Sequence, residues 1–500
     1  MNKPQDIDVM IYALTGLSSL QIGLTGEVVK RIVNEGKDYR IVKCDSALYN
    51  CHFNQFHNVI ACASCQSRMS FIHEKSGVQV GNILKMVRTK PDIKFPFFEN
   101  YKEVLDFEYR DINIGRGVAS SLISHYRNYN LSSHNRKEYI EFELRKSAIV
   151  VDNFLSFLKK FSPKEFIIFN GRFSEIHPLI EICKQKNISF STIESGAKNK
   201  FEYYPNNLPH SIDNRNEKMH LLWKKADPNN REAIGHDWFK KKRQGDETYE
   251  RSFKSDGAKN DLIPDLIEKG KENVLILNSS EDELKVIKEW QHGFYENQND
   301  VIVELMKKYK GNNNYNFILR IHPNLKAVKN QQTQELATFN FPNLKIIKAD
   351  VSLDTYSLID QVDKVLVFGS LTGIESTYWG KPTVLFGKSF YYHLDVVHKP
   401  TNYAELFELI DQKELKPFPQ ENCLIYGHYF ATYGHDLKWF VPRGKSESLF
   451  MGEKIPVFNV NAGINLFKYI GSFPLWNKAI KAAYKRKFNM SDILRYRMYN

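Results

Sequence analysis

The amino-acid sequence predicts an α/β protein of two successive domains, each a parallel sheet covered by helices, followed by a helical C-terminal segment. Three observations carry that prediction. Short apolar runs alternate with amphipathic stretches in two separate blocks, a polar and charged stretch divides the blocks, and 500 residues exceed one ordinary domain at roughly 150 residues each.

In the first block, residues 1–223, the apolar run 9–14 reads as a strand, EVVKRIVNEG as a helix ending at Gly36, and 39–44 as a second strand. Glycines 16, 23 and 26 do not form G-x-G-x-x-G, so no dinucleotide fingerprint is present. A helix over 141–160, a buried strand over 166–170, a helix over 178–187 and a strand over 190–194 continue the alternation. Residues 224–272, rich in Lys, Asp, Asn and Gly, read as a polar connecting region. In the second block, 273–422, strands are expected at 273–277, 316–321, 344–347, 364–368 and 383–386. Helices are expected around 282–310, at 356–361 and from 374. Residues 423–500 are aromatic and basic and are expected to be helical, packing back on the domains or lying on a membrane.

Composition narrows the function class. With 42% hydrophobic and 26% charged residues the chain is globular, neither disordered nor disulfide-stapled. No apolar run reaches the ~18 residues needed to cross a bilayer, and the acids in MNKPQDIDVMIYAL do not suit a signal peptide, so a cytoplasmic protein is expected. The formal net charge is +12, yet eight basic residues face Asp492 alone between Lys468 and Asn500, so seven of those charges lie in the last 33 residues. Mixed there with Leu475, Trp476, Ile480 and Tyr484, they suit an anionic membrane surface as well as a solvated basic face. No RNA- or DNA-binding signature accompanies the charge, so nucleic acid is not an expected partner.

In open α/β sheets the functional loops lie at the carboxyl ends of strands. There the second block places His322-Pro323-Asn324 and Gly369-Ser370-Leu371-Thr372-Gly373, the latter opening a helix with Glu375 in its first turn. Small residues, hydroxyl donors and helix N–H groups form a phosphate cradle, although plain N-capping by Ser or Thr reads equally well. The first block places Asn170-Gly171-Arg172 and Glu194-Ser195-Gly196 at strand ends. A carboxylate facing a cleft is a reasonable general base, and an arginine there can hold a carboxylate or phosphate.

Together, Glu194-x-Gly196, His322-Pro323 and Ser370-x-Thr372 resemble the motif series of bacterial GT-B sialyltransferases and polysialyltransferases. The stretch from LRIHPN through FGSLTGIESTYWGKPTVLFGKSFY is also similar to the capsule polysaccharide biosynthesis family, which includes Kdo transferases. The resemblance implies a GT-B fold of two Rossmann-like domains facing a cleft, with an inverting transfer from a nucleotide sugar, CMP-activated acidic sugars being favoured. It implies Glu194 as the base on the acceptor, His322 at the donor phosphate, and Pro323, Ser370, Thr372, Gly373 and Glu375 around the nucleotide. Asn170 and Arg172 would hold the acceptor, a glycan or lipid-linked glycan. Ser195 stands where the pattern would put a second acid, and Glu375 would suit a ribose in UDP- or GDP-sugar enzymes too.

No D-x-D motif follows any of these strand ends to call for a metal, so no cofactor is expected. Cys44, Cys51, Cys62 and Cys65 fall close together and include a C-x-x-C pair, but their spacing is not that of a finger or ribbon; buried thiols and a structural zinc both remain open. The competing functional readings are a nucleotide-sugar 2-epimerase, a polyol-phosphate transferase, and a non-catalytic glycan- or nucleic-acid-binding protein.

Overall fold

In the computed structural model, which describes residues 3–13, 15–55, 57–245, 262–283, 285–291, 294–444 and 447–456, strand β1 (Gln5–Ala13) lies inside a sheet covered on both faces. Its apolar run is shared between two cores: Met10 and Tyr12 point into one hydrophobic cluster, Val9, Ile11 and Ala13 into the other. That two-sided burial is why the strand reads as a continuous apolar run rather than an alternating one.

The first sheet is completed by β2 (Tyr39–Lys43), β3 (Ile83–Lys85), β6 (Phe161–Phe169), β7 (Ser189–Ser195) and β8 (Lys200–Pro205), while β4 (Glu108–Tyr109) and β5 (Ile112–Asn113) form a separate short hairpin. The second sheet holds β9 (Glu272–Leu277), β10 (Tyr315–Arg320), β11 (Leu344–Ile347), β12 (Lys364–Val367) and β13 (Thr383–Leu385), all parallel. The parallel strands run β3-β2-β1-β6-β7 in the first sheet and β11-β10-β9-β12-β13 in the second. Both are the same doubly wound order. In each, the chain direction of travel reverses at one point, between β1 and β6 and between β9 and β12, and loops part there to leave a crevice. The expected pair of Rossmann-like domains is the architecture found.

Two stretches differ from the sequence expectation. The supposed connecting region, 224–272, opens on the last two residues of the helix Ile212–Lys225 and continues with the helix Arg231–Arg243; Trp238 and Phe239 of the latter are buried, and Phe239 stacks on Tyr378 at 4.0 Å between ring centroids. Few apolar residues suffice there because they sit on one face, against the helix Gln420–Thr432. Conversely, the helix expected over 282–310 starts only at Gln298. Before it, short turns spend their carboxylates on the other domain: Glu289 Oε1 accepts the N–H groups of Ile212 and Asp213, capping the helix Ile212–Lys225 at 2.6 and 2.8 Å. Tertiary partners thus override local helix propensity.

Among the described residues the C-terminal segment is helical only to Thr432. Beyond it, β14 (His435–Asp436) adds an antiparallel edge to β8, and β15 (Phe440–Val441), β16 (Leu449–Phe450) and β17 (Glu453–Lys454) form a small meander. The meander docks on the helix Ser19–Asn34, where the Phe440 ring lies 2.2 Å from where a Gly23 Cβ would be and the Phe450 ring 2.8 Å from that of Gly26. Close approach, not phosphate binding, explains those two glycines. The basic, aromatic segment from Lys468 onward lies outside the described residues. Among the described residues no helix is long and apolar enough to cross a membrane.

Candidate functional site

Every strand of the second sheet sends its carboxyl-end loop to one cavity of about 1240 Å³. From β9 come Asn278 to Glu281, from β10 His322 to Asn324, from β11 the loop 349–356, from β12 Gly369 to Thr372, and beyond β13 Lys388. Tyr101 and Lys102 of the first domain close one side. The crevice thus sits at the β9/β12 reversal, where open α/β sheets bind ligands.

His322 is the best-defined group in it. Its backbone N–H donates to Asn278 Oδ1 at 2.7 Å, and its ring Nδ1 accepts the Asn324 N–H at 3.1 Å. Burial, helped by the Arg320 and Arg127 charges, lowers its pKa to about 4, so the ring is neutral at pH 7. With Nδ1 committed as acceptor, the ring proton belongs on Nε2, making that nitrogen a donor. Arg320, buried beneath, donates to the Lys348 carbonyl at 2.9 Å and adds fixed positive charge.

Ser370 and Thr372 line the same cavity, but the Ser370 hydroxyl accepts the Thr372 N–H at 3.2 Å, so the capping role is realised there. Gly373 is not among the lining residues: the Tyr391 hydroxyl occupies the space its side chain would fill and donates to the Ser370 carbonyl at 2.6 Å. Glu375 is 4% exposed and accepts from the Tyr356 hydroxyl at 2.7 Å. The Arg243 guanidinium lies 5.5 Å from the Tyr356 ring centroid and pairs with Asp360. This Arg243, Tyr356 and Glu375 wall suits a polar ring with hydroxyls.

Asn170, Arg172 and Glu194 come together elsewhere, at the β6/β7 ends of the first sheet, and none of them lines the cavity. Asn170 takes a left-handed φ of 59° before Gly171 at 90°, a tight turn off β6 that aims its amide at Glu194. Glu194 accepts from Asn170 Nδ2 at 2.8 Å and from the Ser195 N–H at 3.0 Å. Burial pushes its carboxyl above the ordinary value in spite of those bonds and the Arg215 and Arg172 charges. A base of raised pKa accepts a proton more readily. Arg172 donates to Ser124 Oγ at 3.1 Å. The locus borders the domain junction: Arg215 lies 4.2 Å from the Phe390 ring centroid, and Phe390 packs at 5.0 Å on Trp290, a wall of the cavity.

The four clustered cysteines are free, and among the described residues no group of three or more His, Cys, Asp or Glu is disposed to hold a metal ion. Two of the thiols accept from protein donors: Cys65 Sγ accepts the Gly16 N–H at 3.0 Å and Cys62 Sγ the Asn54 amide at 3.3 Å. Burial raises the Cys44 pKa to about 11, keeping it a thiol. Sequence reasoning missed Asn278, Arg320, Tyr356 and Arg243. Asn278 was open to the same strand-end rule that found His322, since it follows VLIL directly.

Residues 245–399 match the family model described as capsule polysaccharide biosynthesis protein. A search of curated protein sequences finds no match. Among solved structures, similarity extends to the KpsC beta Kdo 2,4 transferase of Thermosulfurimonas dismutans, at 12% identity and TM-score 0.34 over 56% of this chain and 85% of that one. The KpsC beta Kdo 2,7 transferase of the same organism gives 15% and 0.32 over 53% and 75%. The UDP-GlcNAc 2-epimerase of Methanocaldococcus jannaschii gives 11% and 0.26 over 84% and 98%.

Proposed function

With residues 245–399 matching the capsule polysaccharide biosynthesis family, we propose that this protein is a glycosyltransferase that moves a sugar from a nucleotide donor to a growing capsule or lipopolysaccharide glycan. The observation that carries the reading is His322: a neutral imidazole, its Nδ1 tied to Asn324, held at the switch point of a sheet whose loops surround one large cavity. A donor N–H beside a buried arginine stabilises the charge that develops on a departing nucleotide phosphate.

The second domain is then the nucleotide-sugar side and the first the acceptor side. Glu194 takes the proton of the acceptor hydroxyl, the freed oxygen attacks the anomeric carbon from the face opposite the nucleotide, and the bond from that carbon to the phosphate oxygen breaks. Configuration inverts. His322 and Arg320 meet the charge on the leaving phosphate, so the step runs on protein groups without a metal. The Glu375 and Tyr356 pair faces the nucleoside. CMP-activated acidic sugars such as Kdo or sialic acid are the favoured donors, and the basic C-terminal segment holds the enzyme at an anionic membrane where lipid-linked acceptors reside.

The test is a thermal-shift screen of the whole protein with CMP, UDP, GDP and CDP, followed by transfer assays with the matching sugar nucleotide. A ligand that binds only the native state raises Tm by mass action. Selective stabilisation by CMP supports the favoured donor; no shift with any of the four removes the nucleotide pocket from the reading.

A further inference from the structure

The loops of the second domain build most of the cavity, yet one of them is held from the first. Arg127 ends the helix Gly115–Tyr126 in the left-handed region, φ 53°, which turns its side chain and its carbonyl across the domain junction. The guanidinium Nη2 donates to Ser280 Oγ at 2.6 Å and to Asp282 Oδ1 at 3.3 Å, and Nε pairs with Asp282 Oδ2. The Arg127 carbonyl accepts from Asn330 Nδ2 at 2.7 Å. Two residues on, the Tyr129 ring lies 4.7 Å from Lys285 Nζ.

Asp282 has 1% of its side chain exposed, so its charge depends on this partner; Ser280 Oγ donates to it at 2.5 Å and completes the set. The loop so clamped begins at Asn278, whose side chain holds the His322 backbone. From its own domain the loop is tied by Gln298, which accepts the Ser279 N–H at 2.8 Å, and by Gln332, which donates to the Ser279 carbonyl at 2.9 Å. Those two bonds fix its start. Further along, the Glu281 N–H donates to Gln332 Oε1 at 3.3 Å and the Glu281 carboxylate accepts the Gln298 N–H, and Arg127 adds the tie from the first domain at Ser280 and Asp282.

We propose that Arg127 is a positioning residue that the first domain lends to the nucleotide site: through Asp282 and Ser280 it sets the 278–283 loop and, through Asn278, His322. The inference rests on the reading of this cavity as the donor site. It has a consequence for the catalytic cycle, because the site is fully formed only while the two domains are engaged, so that domain opening loosens the nucleotide side as well as parting the two substrates.

The experiment is hydrogen exchange by mass spectrometry on the full chain. Arg127→Asn tolerates the left-handed backbone but cannot reach Asp282, and Asp282→Asn removes the charge from the other side while keeping the shape. Each variant is expected to speed exchange over 278–283 and 321–325 on the order of tenfold, as loss of a buried charged hydrogen bond implies, with β1 and β6 unchanged. The double variant should be no worse than either single one, because both remove one interaction. Unaltered exchange in that loop, a uniform rise throughout the chain, or simple additivity of the two variants would overturn the inference. The nucleotide reading is decided separately: wild-type protein that gains no Tm with CMP, UDP, GDP or CDP defeats that reading while the exchange data still judge Arg127. If CMP binds, its affinity should fall on the order of tenfold in Arg127→Asn and be partly restored in Arg127→Lys, which keeps the charge without the fork; undiminished CMP affinity counts against the proposal.

Discussion

The carboxylate of Glu27 accepts the backbone N–H of Trp439, 412 residues further along the chain, at 2.9 Å, and accepts those of Lys438 and Phe440 as well. Glu27 is fully buried and also pairs with Arg31. One side chain in the first long helix thereby satisfies the entry of the C-terminal meander. Glu27→Gln keeps the shape but turns one acceptor oxygen into a donor facing N–H groups, and should cost about 3 kcal/mol. A shift of the denaturation midpoint in urea checks it; an unchanged midpoint would show the meander to be held by its apolar contacts alone.

Gly23 and Phe440 make a second, independent claim on the same joint. Gly23→Ala puts a methyl where the Phe440 ring sits and should make the C-terminal segment accessible to limited proteolysis near residue 440. Phe440→Ala alone should cost about 3–5 kcal/mol through the cavity it leaves. In the double variant the added methyl has room, so the two effects should sum to less than their parts; strict additivity would argue against direct contact.

For the chemistry, Glu194→Gln should abolish transfer while leaving nucleotide binding near wild type, since an amide cannot take the acceptor's proton. Activity within about threefold of wild type would sink Glu194 as the base. His322→Ala should weaken nucleotide binding and turnover together, because a phosphate contact serves ground and transition states alike.

Stability should fall in mild acid. His73 and His322 titrate at about 4 and His210 at about 3, in each case chiefly because burial disfavours the charged ring, against an ordinary 6.5. The unfolded chain therefore binds more protons below pH 6.5, and stability declines as pH drops from 6.5 toward 4, with no contribution from these groups above that window. Melting curves at pH 7.5 and 5.5 test the sign, and His73→Gln should reduce the difference between them.

Removing residues 468–500 should reduce sedimentation with anionic liposomes, in a salt-dependent manner, and slow transfer to a lipid-linked acceptor while sparing a soluble analogue. Equal binding to neutral liposomes would contradict the electrostatic basis.

Local pattern revealed what local forces decide. All the parallel strands except β3 are legible in the sequence because two-sided burial makes them apolar runs, and the strand-end rule reaches His322, Ser370 and Glu194 from them, whereas β8 and the short antiparallel strands leave no such run. What escaped depends on partners distant in sequence. Trp238 and Phe239 look isolated in a charged stretch until the helix Gln420–Thr432 is laid on them. Gly23 and Gly26 carry no signal of Phe440 and Phe450, and Arg127 is an ordinary helix end until Asp282 is brought to it. Gly373 looked like a phosphate contact because nothing local announces Tyr391.

The edge strand β14 also bears on how the chain is made. Lys200 contacts the carbonyl of Gly434, 234 residues later, so a ribosome adding about 5–20 residues per second leaves β8 without its neighbour for on the order of 10–50 s. During that time the nascent first sheet shows an unpaired edge and an empty apolar groove along the helix Ser19–Asn34, while the second sheet, whose strands all lie between Glu272 and Leu385, can form in the interval. Synthesis order thus lets the second domain complete its sheet before the first gains its last edge strand.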